Sequence, residues 1–141
     1  MKKSTLVLIG LVLVVLLITF FIGKGITGEN DLWKNATYTE NMTFGEGAKT
    51  ISVKVVAGKD NATFTIHTDK KTVGDALLEH NLIEGENGPY GLYVKKVNGI
   101  KADFNIDKTY WAFSQDSKPL ETGVDMTKIE DGAKYEFIYT K

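Results

Sequence analysis

Apolar and polar positions change rhythm three times along this chain. Residues 5–22, TLVLIGLVLVVLLITFFI, are uncharged throughout and follow Lys2 and Lys3. From Ile51 the pattern alternates, Ile51, Val53 and Val55 against Ser52 and Lys54, which is the period of a half-buried strand. Gly58, Lys59, Asp60 and Asn61 supply turn residues, and Phe64 and Ile66 then alternate with Thr63, Thr65 and His67. The two runs predict a hairpin. At Thr72 the period lengthens, with Val73, Ala76, Leu77 and His80 at i, i+3, i+4 and i+7, one apolar face of a helix. Thr72 and Asp75 fit a capping box that satisfies free amides of the first turn, and Gly85 is placed just past the helix end.

A Gly-rich turn is expected over residues 85–91. Beyond it Leu92 and Val94 alternate with Tyr93 and Lys95, and Asn98-Gly99 is the strongest short hairpin signal in the chain. Residues 110–115 and 135–139 predict two more strands, joined by a connection over 119–132. The order strand, strand, helix and then three or four short strands predicts an α+β domain, a β-grasp-like mixed sheet with one packed helix.

A run of about 18 apolar residues is long enough to cross the hydrocarbon core as a helix. Residues 1–23 are therefore read as an N-terminal transmembrane helix, with the basic flank inside and everything after Gly23 outside. A cleaved signal peptide is the alternative, but the exit Phe20-Phe21-Ile22-Gly23-Lys24 lacks a small-x-small site. The expected location is the cell membrane, single-pass, with the domain on the extracellular side. Residues 24–48, rich in Gly, Asn and Thr, read as an extracellular tether, and residues 49–141 as the folded domain. Trp33, Tyr38 and Phe44 are more apolar than a spacer needs, so part of this arm is expected to pack on the domain or join its sheet.

The formal charge is -1 for the whole chain and more negative without Lys2 and Lys3, so no basic surface for nucleic acid is implied. The absence of cysteine excludes disulfides, thiolate metal sites and lipid attachment through sulfur. Catalytic patterns are weak. His67 and His80 lack an H-E-x-x-H spacing or an adjacent nucleophile motif. Asp69, Asp75 and Glu79 surround the helix start, where the macrodipole favours carboxylates without any catalytic duty. Asp103, Asp107, Asp116 and Asp125 are scattered through turns and form no calcium loop. The chain is expected to be a binding protein, neither an enzyme nor a metal site.

The chemistry most suited to binding lies in residues 108–124, KTYWAFSQDSKPLETGV, which bring Tyr110, Trp111 and Phe113 into four positions. Side chains alternate across a strand, so Trp111 and Phe113 share one face and Tyr110 lies on the other. The expectation is Trp111 and Phe113 inward, with Tyr90, Tyr93, Tyr110 and Gln115 more exposed at the mouth of a groove. These six residues form the candidate site, an aromatic platform with a few polar handles that suits large, partly apolar ligands and protein partners alike.

The same run carries a resemblance. Lys108-Thr109-Tyr110-Trp111, Phe113, Pro119-Leu120 and Gly123-Val124, with Ala36 to Glu40, Gly45-Glu46-Gly47, residues 72–78, 90–100 and the closing Asp131-Gly132 to Tyr139, resemble a bacterial family of transcobalamin-like C-terminal domains. That family is similar to the C-terminal β domain of the cobalamin carriers intrinsic factor and transcobalamin. The resemblance implies a β-grasp-like fold and cobalamin or a related corrinoid as ligand, with no covalent cofactor. In the carriers a second, helical domain supplies the other wall of the site. The chain lacks such a domain, so a vitamin importer or second binding protein is the implied partner, alongside the membrane. The alternative is a surface interaction or adhesion module using the aromatic strand or a free sheet edge.

Overall fold

The computed structural model describes residues 31–141. The apolar run and the first part of the tether lie outside them, so the membrane anchor and the cellular location do too. Among the described residues no helix is long and apolar enough to cross a membrane. Residues Leu32–Lys141 form one compact unit. Its elements are β1 (Met42–Phe44), β2 (Lys49–Ala57), β3 (Asp60–Thr68), α1 (Val73–Glu79), β4 (Ile83–Gly88), β5 (Gly91–Val97), β6 (Ile100–Lys101), α2 (Phe104–Asp107), β7 (Tyr110–Gln115), β8 (Lys118–Pro119) and β9 (Lys134–Thr140).

The α+β class is as read from the sequence, dominated by sheet with one main helix. The single sheet is corrected to two: six strands in the order β1-β3-β2-β9-β7-β8, and three in the order β4-β5-β6. The larger sheet is mixed, since β1 runs parallel to β3 and β2 parallel to β9 while the β2-β3 and β7-β9 pairs are antiparallel. Alternation sets its core face: Ile51, Val53 and Val55 of β2, Phe64 and Ile66 of β3, and Tyr135 and Phe137 of β9 are buried. The Thr72 side chain accepts from the Asp75 N–H at 3.2 Å to start α1, whose Val73, Ala76 and Leu77 are buried.

Two local expectations were displaced. The helix ends at Glu79 with His80 as its C-cap, and Asn81 just past it takes φ 57, so the stop lies well before Gly85. Gly85 instead belongs to β4, where the register against β5 shifts in a bulge. A Cβ there would meet the Tyr93 backbone, so the glycine marks a close strand approach and not a turn. The Gly-rich turn narrows to Pro89 and Tyr90 between β4 and β5.

The arm joins the fold from Leu32 onward. The Tyr38 ring packs edge-on to Phe44 and Phe64 at 5.2 and 5.9 Å, and Phe44 packs on Phe64 at 5.8 Å. Asn98-Gly99 turns β5 into β6 with both residues at positive φ, as the hairpin signal implied. His80 caps α1 with its ring on Phe44, 5.4 Å between centroids.

Candidate functional site

The site is built on β7. Its β9 side is paired from Tyr110, opposite Thr140, to Gln115, opposite Tyr135. On the other side β8 reaches only Ser114 and Gln115, and the Leu120 N–H donates to the Phe113 carbonyl at 3.0 Å. Among the described residues no strand lies beside Tyr110, Trp111 and Ala112 on that edge. β5 repeats the arrangement, because β6 covers only Lys96 and Val97. Further up that edge the Leu92 N–H donates to the Asp125 carboxylate at 2.8 Å, a side chain standing in for the missing strand.

Between these two open edges lies a groove of about 670 Å³, within the ~300–1,000 Å³ usual for small-molecule sites. Tyr90, Leu92, Tyr93 and Val94 line one side, and Tyr110 to Phe113 the other. The connection from Pro119 to Val124 forms a third wall, and Phe137 lies beneath.

Five of the six candidate residues meet in this groove. Trp111 is buried, and its indole N–H donates to the Ile100 carbonyl at 3.1 Å while its ring stands edge-on to Tyr139 at 5.4 Å. Phe113 stacks on Phe137 at 4.9 Å and on Tyr135 at 5.9 Å. Tyr90, Tyr93 and Tyr110 are exposed, and Tyr110 packs edge-on to Phe104 at 6.4 Å. Trp111 is buried and Tyr110 exposed, as the alternation implied, yet both border the groove. The groove follows an edge, so residues from both faces of β7 border it.

Gln115 is the exception. It pairs with Lys118 and Tyr135 at the covered end of β7 and does not line the groove. Sequence reasoning also passed over the third wall as a site. Its signal was present in Pro119-Leu120 and Gly123-Val124: a Cβ on Gly123 would come within 3.0 Å of the Tyr90 carbonyl oxygen and 3.2 Å of the Leu92 nitrogen, so glycine favours the close approach of this wall to β5. Below the groove, burial pushes the Tyr135 phenol above its usual 10.0, against the Glu130 N–H that donates to its oxygen at 3.2 Å.

A family model described as "Domain of unknown function (DUF4430)" matches residues 70–141. The chain belongs to this family. The DUF4430 portion holds α1 and β4 to β9, and therefore every residue that lines the groove. No curated protein matches the chain. Among solved structures, a protein from Ruminococcus gnavus ATCC 29149 whose description proposes metal binding is 30% identical, with a TM-score of 0.63 over 67% of this chain and 98% of that one. Among the described residues, no group of three or more His, Asp or Glu side chains is placed to hold a metal ion. Haptocorrin in complex with Cbi is 20% identical, with a TM-score of 0.51 over 70% of this chain and 26% of that one. This second likeness is one of fold, transcobalamin-like, and the DUF4430 chain spans about a quarter of the haptocorrin chain.

Proposed function

We propose that the chain is a non-catalytic binding module whose groove takes a large, planar, partly apolar ligand of the corrinoid class, cobalamin or a relative. The observation that carries this reading is the convergence of Tyr90, Tyr93, Tyr110, Trp111 and Phe113, from two separate sheets, on one groove. Indole and phenyl rings give a flat apolar ligand broad contact, and the phenol hydroxyls give it hydrogen-bonding partners at the rim. The fold likeness to haptocorrin supports the ligand class. In this reading the N-terminal apolar segment holds the module at the outer face of the cell membrane. A half-open groove buries one side of a ligand, so a second protein, such as an importer, closes the other and receives it.

Titration calorimetry of the chain with cobalamin, cobinamide and haem tests the proposal. Saturable heat with a corrinoid at roughly micromolar affinity is expected. The absence of heat with every macrocycle removes the reading.

One observation favours a protein-docking role instead: on the uncovered edge of β7 the Trp111 backbone N–H and C=O face outward, open to an added strand. A corrinoid that protects the Trp111 amide from hydrogen exchange without any protein partner favours the ligand reading over this one.

A further inference from the structure

We infer that the groove selects amide-bearing, uncharged or cationic ligands over carboxylate- or phosphate-bearing ones of the same shape, and that Glu121 sets this preference. The inference rests on the groove being the corrinoid site and adds the chemistry of the ligand's periphery.

Of the residues that line the groove, Glu121 alone carries a formal charge, and Lys, Arg and His are all absent from it. A second carboxylate lies at the base of the same wall, since Asp125 is held against the β5 edge by the Leu92 N–H at 2.8 Å. Lys118, beside Pro119 on β8, is exposed and does not itself line the groove, and two cations of β5 are engaged elsewhere. Lys95 pairs with Glu86 at 3.3 Å and Lys96 with Glu84 at 3.7 Å, both across to β4. Lys108 stands over the Phe104 ring at 4.9 Å.

The other polar side chains of the lining are neutral hydroxyls: the phenols of Tyr90, Tyr93 and Tyr110, and Thr122, whose hydroxyl meets that of Thr127 at 3.1 Å. A primary amide both donates and accepts, so it can donate to Glu121 and accept from a phenol. A carboxylate or phosphate only accepts, and beside Glu121 it meets a like charge with no cation in the lining to offset it. A macrocycle edged with amides therefore fits where its acid counterpart is repelled.

The test compares dicyanocobinamide, whose peripheral acids are all amides, with dicyanocobyrinic acid, the same macrocycle with free carboxylates. Calorimetry is run on the full chain in non-ionic detergent at low salt. The acid is expected to bind at least about tenfold more weakly, with the gap closing as ionic strength rises. Glu121 is exposed, so Glu121→Lys leaves the fold intact, and it should shrink the ratio several-fold while Glu121→Gln falls between. Equal affinity for the two compounds, or a ratio that Glu121→Lys leaves unchanged, overturns the inference while leaving the corrinoid site standing. Binding of neither compound removes the corrinoid site and the inference together.

Discussion

Asn98 and Tyr38, 60 positions apart, clasp one another: the Asn98 side chain accepts from the Tyr38 N–H at 2.9 Å and donates to the Tyr38 carbonyl at 2.9 Å. Thr37 adds an N–H bond to the Asn98 carbonyl at 2.9 Å. One turn residue thereby fastens the N-terminal arm to the smaller sheet. It suits the task because asparagine tolerates the φ of 51 required here and carries both a donor and an acceptor.

Asn98→Ala is expected to destabilise the domain by about 2–4 kcal/mol, since it removes two part-buried bonds and places alanine at positive φ. Asn98→Gly restores the backbone freedom and should recover about 1 kcal/mol of that loss. Urea unfolding of the two variants separates the side-chain bonds from the backbone contribution.

Trp111 serves the fold and the groove together, whereas Tyr90 and Tyr110 serve the groove. Trp111→Phe leaves the buried Ile100 carbonyl without its donor, at a cost of about 1–3 kcal/mol. Tyr90→Ala and Tyr110→Ala, at exposed positions, should change stability by no more than ~1 kcal/mol and weaken macrocycle binding. Thermal melts beside calorimetry show the split; equal loss of stability in all three variants would contradict it.

Gly123→Ala introduces a methyl group 3.0 Å from the Tyr90 oxygen and the Asp125 carboxylate. The φ of -65 there suits alanine, so the effect is purely steric. A stability loss of about 1–3 kcal/mol is expected, together with a displaced third wall and weaker binding. Gly132→Ala is the control, because its space is open and its cost comes from the positive φ alone.

Burial raises the Tyr135 phenol above 10.0, so the native state holds that proton more tightly than the unfolded chain. The stabilisation is complete below pH 10.0 and disappears as pH rises through the raised value. Tyr135→Phe should therefore flatten the alkaline decline in melting temperature relative to the parent protein. An identical decline in both would count against a role for this phenol.

On the acid side, the Thr109 hydroxyl donates to the Asp107 carboxylate at 2.5 Å and holds it below its usual 3.8. The stabilisation is present above that value and is lost as pH falls through the lowered one. Thr109→Val removes the donor, and the acid limb of the melting curve should lose this contribution. Thr109 also accepts from the Asp103 N–H at 3.0 Å, so Asp107→Asn is the cleaner comparison.

Several elements were legible because their causes are local. The alternation at Ile51 and Phe64, the Thr72 cap and the Asn98-Gly99 turn each depend on residues within one or two turns of chain, and each lies where the sequence placed it. β4 was missed because Glu84-Gly85-Glu86-Asn87-Gly88 carries the composition of a turn. Pairing with β5 overrides that preference, since the partner strand supplies the hydrogen bonds that local chemistry does not. Gln115 was misplaced for a similar reason: it shares a strand with Trp111, but β8 covers its end of that strand.

The sequence by itself determined the α+β class, the principal helix, two hairpins, the aromatic identity of the candidate site and the absence of thiol and disulfide chemistry. Tertiary structure alone decided that there are two sheets, that Tyr90 and Tyr93 stand across from Tyr110 and Trp111, and that Pro119 to Val124 closes the third side. Periodicity reports which face of a strand is apolar, a property of adjacent residues. Which edge stays open depends on where partner strands end, and that is set by packing between segments far apart in the chain.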